Sequence, residues 1–356
     1  MNPRLIIDIK KLTHNAAFLA DFCRGRGVSL AVVTKVFCAD SVMVDALSYL
    51  PIDFFADSRL ENIEAYPEGI SQRTMLLRLP APRMASEIVA KCDISLNSEL
   101  ATIELLAKAA EGLNKTHGII LMIDLGDLRE GIYHTDAQKI MDTCRYILSQ
   151  KSLKLEGLGT NLTCYGSVLP TSENLGRLCE IADIVQQELG VKLPIISGGN
   201  SSSLKLLAEG KMPVAINNLR LGESVVCGLE TAYGEPFPGL VQDVVVLEAD
   251  IIEIAKKPSL PEGETNINAF GEKMEYADHG HHTRAILAIG RQDTNHEGLR
   301  PLNPGVSIVG ASSDHLIVDI SDASTLAVGD SLRFGLSYGA ILAGFTSKYV
   351  DREYVN

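Results

Sequence analysis

Short apolar runs rich in β-branched residues alternate with longer amphipathic stretches between about residues 26 and 222. The amphipathic stretches repeat apolar residues at three- and four-residue steps, which is the period of a helix with one buried face. The apolar runs are too short for helices and are bounded by turn residues, so they predict buried strands. Eight such runs occur, at residues 29–35, 52–56, 74–79, 93–96, 117–125, 154–162, 193–197 and 218–221.

Eight strands joined by helices indicate a parallel (β/α)8 barrel, because parallel strands need crossover connections. The chain changes character near Gly234, where prolines become frequent, helical periods stop and turns separate further strands. We therefore predict the α/β class, with a TIM-like barrel over residues 10–235 followed by an all-β domain over residues 236–356. A strand at residues 4–9 is expected to join the second domain. A doubly wound open sheet remains an alternative, since strand order cannot be read from spacing.

Composition restricts the partners of the chain. Hydrophobic residues make up 46% and charged residues 22%, as in ordinary globular proteins, and the net charge of −13 disfavours nucleic acid and anionic membranes. No apolar run has the length of a membrane span, and the first one is too short for a secretion signal. Seven scattered cysteines without zinc-ligand spacing predict free thiols in a reducing cytoplasm and no metal site.

Two candidate functional groups follow predicted barrel strands. Lys35 ends the first strand after an apolar run, where a desolvated amine has a lowered pKa and can form a Schiff base. The segment Ser197-Gly-Gly-Asn-Ser-Ser-Ser203 follows the seventh strand, and its glycines, hydroxyls and amides suit an anion. Each has a structural alternative: a lysine that reaches solvent, and a serine-rich turn that caps a helix.

Two arginines occupy similar positions. Arg220 lies in the eighth strand, just before Gly222, where a second backbone loop could close over the same anion. Arg129 lies in a glycine-bounded loop after the fifth strand and could hold a carboxylate through two hydrogen bonds. Either could instead form an ordinary salt bridge. Because active sites of such barrels lie at the carboxyl ends of the strands, the four groups together predict pyridoxal phosphate chemistry on an amino acid.

Several stretches resemble the alanine racemase-type family of pyridoxal phosphate enzymes (fold type III), and more narrowly its ornithine racemase branch. The resemblance covers essentially the whole chain. Its most telling stretches are Phe55-Ala-Asp-Ser-Arg59, Asn161-Leu-Thr-Cys-Tyr-Gly166, Ser197-Gly-Gly-Asn-Ser-Ser-Ser203, Leu221-Gly-Glu-Ser224, Thr231-Ala-Tyr-Gly-Glu235 and Gly310-Ala-Ser-Ser-Asp-His315.

The resemblance implies a role for each matching residue. Lys35 matches the lysine that holds the cofactor and moves a proton on one of its faces, and Arg129 matches an arginine near the substrate carboxylate. Arg220 matches the arginine that faces the pyridine nitrogen, and Asn161 stands where a histidine usually pairs with it. The implied phosphate ligands are Ser201, Gly222, the amide of Glu223 and Tyr338.

Other positions depart from the family pattern. Arg291 stands where alanine racemases have the tyrosine that serves as second acid/base, Ala39 replaces the tyrosine after the cofactor lysine, and Met122 replaces the often carbamylated lysine. Asp293, His315 and Cys164 have chemistry suited to the missing acid/base. Asp293 and Asp314 could also pair with a terminal ammonium, which favours ornithine or lysine over alanine as substrate, although both fit ordinary turn positions.

The resemblance therefore implies a homodimeric racemase that interconverts L- and D-ornithine by removing and returning the α-proton, and the scattered cysteines predict a cytoplasmic location. An alanine, lysine or broad-specificity racemase is one alternative; a decarboxylase, aldolase or dehydratase using the same cofactor is another. A non-catalytic pyridoxal phosphate carrier is disfavoured, because such relatives are single barrels and this chain has about 120 further residues. A barrel that merely binds a phosphorylated metabolite would form no covalent adduct at Lys35.

Overall fold

The computed structural model describes residues 2–273, 275–323 and 325–356. It divides into two compact units: Lys11–Gln242, and the residues before Lys11 together with Asp243–Asn356. Residues 236–242, expected in the second domain, belong to the first unit. There Asn15 anchors them, since its Nδ2 donates to Val241 O at 2.8 Å and its Oδ1 accepts from Val241 N at 2.9 Å.

The strands and helices of the described segments follow each other in this order. The strands are β1 (Arg4–Asp8), β2 (Ser29–Val33), β3 (Phe54–Asp57), β4 (Arg73–Leu76), β5 (Ile94–Asn97), β6 (His117–Asp124), β7 (Ile132–Tyr133), β8 (Leu153–Gly159), β9 (Ile195–Ser197), β10 (Asn218–Leu221), β11 (Val245–Pro258), β12 (His281–Leu287), β13 (Leu299–Pro301), β14 (Ser307–Ala311), β15 (Leu316–Asp319), β16 (Ser331–Leu336) and β17 (Asp351–Val355). The helices are α1 (Ile9–Arg24), α2 (Ser41–Ser48), α3 (Leu60–Glu64), α4 (Ala85–Lys91), α5 (Leu100–Gly112), α6 (Ala137–Ser149), α7 (Ser172–Leu189), α8 (Leu204–Ala208), α9 (Glu223–Cys227) and α10 (Tyr338–Thr346).

The larger unit is a closed barrel of eight parallel strands. Around the barrel the order is β2, β3, β4, β5, β6, β8, β9 and β10, and β10 pairs with β2 to close it. The short β7 pairs with β6, outside the closed ring. All eight predicted runs coincide with these strands, so the barrel is confirmed and the open sheet is excluded.

The helices around the barrel begin and end where their sequence signals lie. The clearest case is α7, for which Thr171 and Asn174 form a reciprocal capping box at the start. Gly190 ends the helix with a φ of 63°, which a residue without Cβ adopts at little cost. Leu175, Leu178 and Ala182 recur at three- and four-residue steps and are buried, so the helix packs through one face.

His117 is a buried titratable group at the start of β6. It is 1% exposed, its Nε2 lies 2.7 Å from Ser95 Oγ, and burial lowers its pKa from 6.5 to about 4. Between about pH 4 and pH 6.5 the unfolded chain therefore takes up a proton here that the folded chain does not, so this group makes stability fall as the pH falls through that window.

We expect His117→Gln to flatten this pH dependence. At pH 5 the wild type should lose about 2 kcal/mol of unfolding free energy, relative to pH 7, that the variant does not lose. Urea unfolding of both proteins at the two pH values measures the difference. Equal losses in the two proteins would show that His117 is not the group responsible.

The smaller unit is built around an antiparallel sheet in the order β13, β16, β11, β12, β15 and β14. Strand β1 joins it by pairing antiparallel to β11 and parallel to β17, with Arg4 opposite Asp351 in the latter pair. The sequence pattern predicts β1 and, after Gly234, strands at residues 241–254, 284–290, 306–309, 316–320 and 331–334, which overlap β11, β12, β14, β15 and β16. Helix α10 also belongs to this unit; its sequence is almost uniformly apolar, so it shows no amphipathic period.

Two further features concern the cysteines and the apolarity of the helices. Every cysteine lies within residues 2–273, and each is a free thiol. None of the helices in the described ranges combines the length and apolarity that a bilayer crossing requires.

Candidate active site

Lys35 lies at the carboxyl end of the barrel, where loops from several strands meet. It follows β2 by two residues and begins a 3-10 turn that ends in two left-handed residues, Cys38 (φ 49°) and Ala39 (φ 52°). Its side chain is half-buried, whereas the preceding Thr34 is fully buried. The strand end therefore holds the backbone of Lys35 rigidly and leaves its amine at the barrel mouth.

A buried carboxylate fixes the residue before this lysine. Thr34 Oγ1 donates to Asp57 Oδ2 at 2.6 Å, and the Tyr66 hydroxyl lies 2.9 Å from the same Thr34 oxygen. Asp57 also accepts from Arg59 N at 2.9 Å and from Asn62 Nδ2 at 3.0 Å. Burial raises the pKa of the Asp57 carboxyl, and these hydrogen bonds oppose the rise. Asp57 was missed as a site residue because its partner Thr34 comes from another strand.

Arg220 is a buried cation in β10. It is 3% exposed, and its guanidinium donates to Ser197 Oγ, to Thr160 O at 2.7 Å and to Asn161 Oδ1 at 2.8 Å. Burial lowers its pKa to about 10, and the charge of Glu130 opposes that shift. Arg220 therefore stays protonated at neutral pH, and its orientation is fixed by acceptors at the end of β9 and in the loop that follows β8.

Asn161 connects Arg220 to the loop after β6. Its Nδ2 donates to Glu130 Oε1, while Glu130 accepts from both Nε and Nη2 of Arg129. The Arg129 side chain is 43% exposed and that of Glu130 is 13% exposed. Arg129, predicted to bind a substrate carboxylate, is thus already paired with Glu130. The partner Glu130 was overlooked, although it is adjacent to Arg129 in the sequence.

The serine-rich loop after β9 lies beside the loop after β10. Ser201 Oγ accepts from Ser224 N at 3.3 Å, and Ser202 Oγ is buried without a hydrogen-bond partner among the described residues. A Cβ on Gly199 (φ 107°) would lie 3.0 Å from Ser203 Oγ, and one on Gly222 would lie 2.9 Å from Val33 Cβ. Only glycine lets these backbones come so close, and the result is a concentration of amides and hydroxyls suited to an anion.

Glu223 and Cys164 are the further reactive groups near Lys35. Burial raises the pKa of the Glu223 carboxyl, and the nearby Lys35 charge opposes the rise. The Cys164 thiol also interacts electrostatically with Lys35 and Arg129. Its loop is held by the buried Asp127, which accepts from Tyr165 N at 3.0 Å, so the thiol has a defined position at the mouth.

Asp293, Asp314, His315 and Tyr338 belong to the smaller unit. The buried Asp293 accepts from Ser347 Oγ at 2.8 Å, and the exposed Asp314 accepts from Gln292 Nε2 at 2.6 Å and from Ser313 Oγ at 2.7 Å. The backbone of residues 291–292 pairs with that of residues 312–313, which brings the two aspartates and the exposed His315 to adjacent segments. Tyr338 begins α10. Their catalytic and binding roles stay predictions.

Comparison with known proteins identifies the family. The family model described as "Alanine racemase, N-terminal domain" matches residues 7–229. The chain belongs to the alanine racemase family. It is 47% identical over 354 residues to an ornithine racemase of Acetoanaerobium sticklandii, covering 99% of both chains. It is 34% identical over 353 residues to a lysine racemase of Thermotoga maritima, covering 99% of this chain and 98% of the relative.

A solved alanine racemase shares the fold. The structure from Bartonella henselae, with covalently bound pyridoxal phosphate, superposes with a TM-score of 0.74 at 18% identity and covers 100% of both chains. The resemblance to the alanine racemase family and its ornithine racemase branch is therefore confirmed. Arg291, which the resemblance predicts to stand where alanine racemases have their second acid/base, donates to Glu272 at 2.9 Å and stacks on Phe270 at 4.3 Å. It is thus engaged in a local contact of the smaller unit.

Proposed function

We propose that this protein is a pyridoxal phosphate-dependent amino-acid racemase whose preferred substrate is ornithine. The observation that carries the proposal is the 47% identity to an ornithine racemase, which extends over essentially the whole of both chains. Lysine is the second candidate substrate, because a lysine racemase aligns over nearly the same length at 34% identity.

The residues at the barrel mouth fit the cofactor. Its phosphate needs several hydrogen-bond donors. The loops after β9 and β10 meet where Ser201 Oγ accepts from Ser224 N at 3.3 Å, and the adjacent Ser202 has a buried hydroxyl without a hydrogen-bond partner among the described residues. Its aldehyde needs an amine held on a rigid element, which Lys35 at the end of β2 supplies. We assign Lys35, Asn161, Ser201, Arg220, Gly222, Glu223 and Tyr338 to cofactor binding.

When bound, pyridoxal phosphate holds the substrate amino group covalently and withdraws electrons from the α-carbon. The Lys35 amine would remove or donate the α-proton on one face of the substrate. A second group would donate or remove it on the opposite face, and Asp293, His315 and Cys164 are the candidates for that group. Arg220 keeps its charge, since a pKa of about 10 lies well above 7. A cation beside the ring nitrogen disfavours protonation of that nitrogen, which favours proton return to the α-carbon over transamination.

A diamino acid also requires a partner for its side-chain ammonium. We assign that role to Asp293 and Asp314, and the substrate carboxylate to Arg129. Asp293 accepts from the neutral Ser347, and Asp314 accepts from the neutral Gln292 and Ser313, so these contacts leave both negative charges uncompensated. An uncompensated carboxylate attracts an ammonium strongly once both are removed from water.

Proton NMR in deuterated water tests the function. Purified protein with pyridoxal phosphate should erase the α-proton signal of L-ornithine, and chiral analysis should find D-ornithine. Parallel tubes with L-lysine and L-alanine rank the substrates, and borohydride reduction followed by mass spectrometry should place the cofactor on Lys35. A reducible adduct without exchange of any of the three amino acids would contradict the racemase proposal, and the absence of an adduct would contradict the cofactor assignment.

We further propose a homodimer located in the cytoplasm. The family resemblance supports the dimer, and the seven free thiols support the reducing compartment. Sedimentation at assay concentration checks the dimer, since a fully active monomer would contradict it.

A further inference from the structure

Glu130 links the two arginines of the barrel mouth. Its carboxylate accepts two hydrogen bonds from Arg129 and one from Asn161 Nδ2, and Asn161 in turn accepts from Arg220. With 13% of its side chain exposed, Glu130 is largely shielded from water, so these contacts are more than a surface ion pair.

The chemistry of Glu130 and Arg220, which contact opposite sides of the Asn161 amide, dictates the orientation of that amide. An ionised carboxylate only accepts hydrogen bonds, and a guanidinium only donates them. Asn161 therefore must direct its NH2 group to Glu130 and its oxygen to Arg220. In the reversed orientation its oxygen would face the carboxylate and its NH2 group would face the guanidinium, so both hydrogen bonds would be lost.

This orientation matters because Asn161 is one of the three acceptors that fix Arg220. Nη2 of Arg220 is shared between Thr160 O at 2.7 Å and Asn161 Oδ1 at 2.8 Å, while Nη1 donates to Ser197 Oγ. If the Asn161 oxygen were removed, the guanidinium would keep Ser197 Oγ and Thr160 O as acceptors but lose the third, so its position would be less tightly fixed. Glu130 thus influences the orientation of the Arg220 guanidinium indirectly, through its hydrogen bond to Asn161.

We propose that Glu130 is a positioning residue: by fixing the Asn161 amide, it holds the Arg220 guanidinium in the orientation that the cofactor ring nitrogen requires. The inference rests on the proposed function. The proposal also explains why a carboxylate lies beside Arg129: the site needs a group facing Asn161 that only accepts hydrogen bonds.

The test compares Glu130→Gln with Glu209→Gln, a matched control that loses a surface ion pair with Lys211 in the same unit. The glutamine at position 130 has the same shape but can donate, so both orientations of Asn161 become possible. We expect kcat/KM for ornithine to fall about tenfold to a hundredfold, the range for losing a hydrogen bond to a charged group. We also expect the ratio of transamination to racemisation to rise several-fold and the visible absorption of the bound cofactor to shift, whereas the control should match the wild type.

The double variant separates positioning from other roles. In an Asn161→Ala background, adding Glu130→Gln should change kcat/KM and the transamination ratio by less than twofold, because the intermediary is already absent. A full additional loss in that background would overturn the proposal, and so would a single variant indistinguishable from Glu209→Gln. Unfolding midpoints of all variants show whether a loss merely reflects instability.

A readout without cofactor separates this inference from the proposed function. In the cofactor-free protein, the Asn161 side-chain NH2 resonances, identified by their disappearance in Asn161→Ala, should lie downfield because they donate to a carboxylate. They should move upfield in Glu130→Gln and stay unchanged in Glu209→Gln. If the wild type fails to racemise any amino acid while these shifts appear, the function is wrong and the link through Asn161 stands; unchanged shifts would overturn the link itself.

Discussion

Lys35→Ala is expected to lower racemisation by about 10³-fold or more and to abolish borohydride trapping of the cofactor. The amine serves twice in the proposed reaction, as the covalent attachment point and as the group that moves the α-proton, and proton transfer alone contributes about 10²–10⁴-fold. The rate of α-proton exchange and the mass of the reduced protein measure the two losses independently.

Lys91→Ala is the control for that variant. Lys91 lies in α4 and is 3.9 Å from Glu64 in an exposed ion pair, so its removal should leave rate and trapping unchanged. A Lys35→Ala protein that keeps a tenth of the wild-type rate would show that another residue carries the cofactor.

Gly157→Ala is expected to destabilise the barrel by about 3 kcal/mol or more. Gly157 in β8 lies opposite Ile195 in β9, and a Cβ there would lie 1.8 Å from the Ile195 carbonyl oxygen and 2.7 Å from its carbon. Both are backbone atoms of the barrel wall, so only separation of the strands would relieve the clash. Urea unfolding measures the loss, and the soluble yield should fall with it.

Gly176→Ala provides the opposite case. Gly176 lies inside α7, and apart from the backbone of its own helical turns and its chain neighbours, a Cβ there meets no described atom within 4 Å. This substitution should stabilise the protein by about 0.5–1 kcal/mol, because alanine loses less backbone freedom on entering a helix. A Gly157→Ala protein as stable as the wild type would show that the close approach of β8 and β9 does not exclude a Cβ at this position.

The barrel was predictable because each of its strands is short, apolar and rich in β-branched residues, and because helices of clear period lie between them. Strand β17 was not, since residues 351–355 are mostly polar and exposed. It exists because the backbone of β1, almost the whole chain away in sequence, pairs with it. A strand of this kind is specified by its partner, which a local pattern does not contain.

The candidate site likewise contains residues that local sequence patterns predict and residues that they do not. Lys35, Ser201, Arg220 and Gly222 could be predicted as site residues because each lies at or just after the carboxyl end of a predicted strand. Glu130 and Asp57 were missed because their roles depend on Asn161 and Thr34, which come from other strands and loops. A carboxylate acquires such a role only when folding places an otherwise unremarkable donor beside it.

The pairing of β1 with β11 and β17 has a consequence for synthesis on the ribosome. Strand β1 is translated before the barrel, and about 240 residues separate it from β11. Leu5 and Ile7 are fully buried in the folded protein. At a translation rate of about 5–20 residues per second, they remain without their partner strand for roughly 10 to 50 s. All barrel strands emerge during that interval. The nascent chain therefore carries an unpaired apolar strand ahead of a barrel that can already close, and this order of emergence makes the smaller unit the last part of the protein to form.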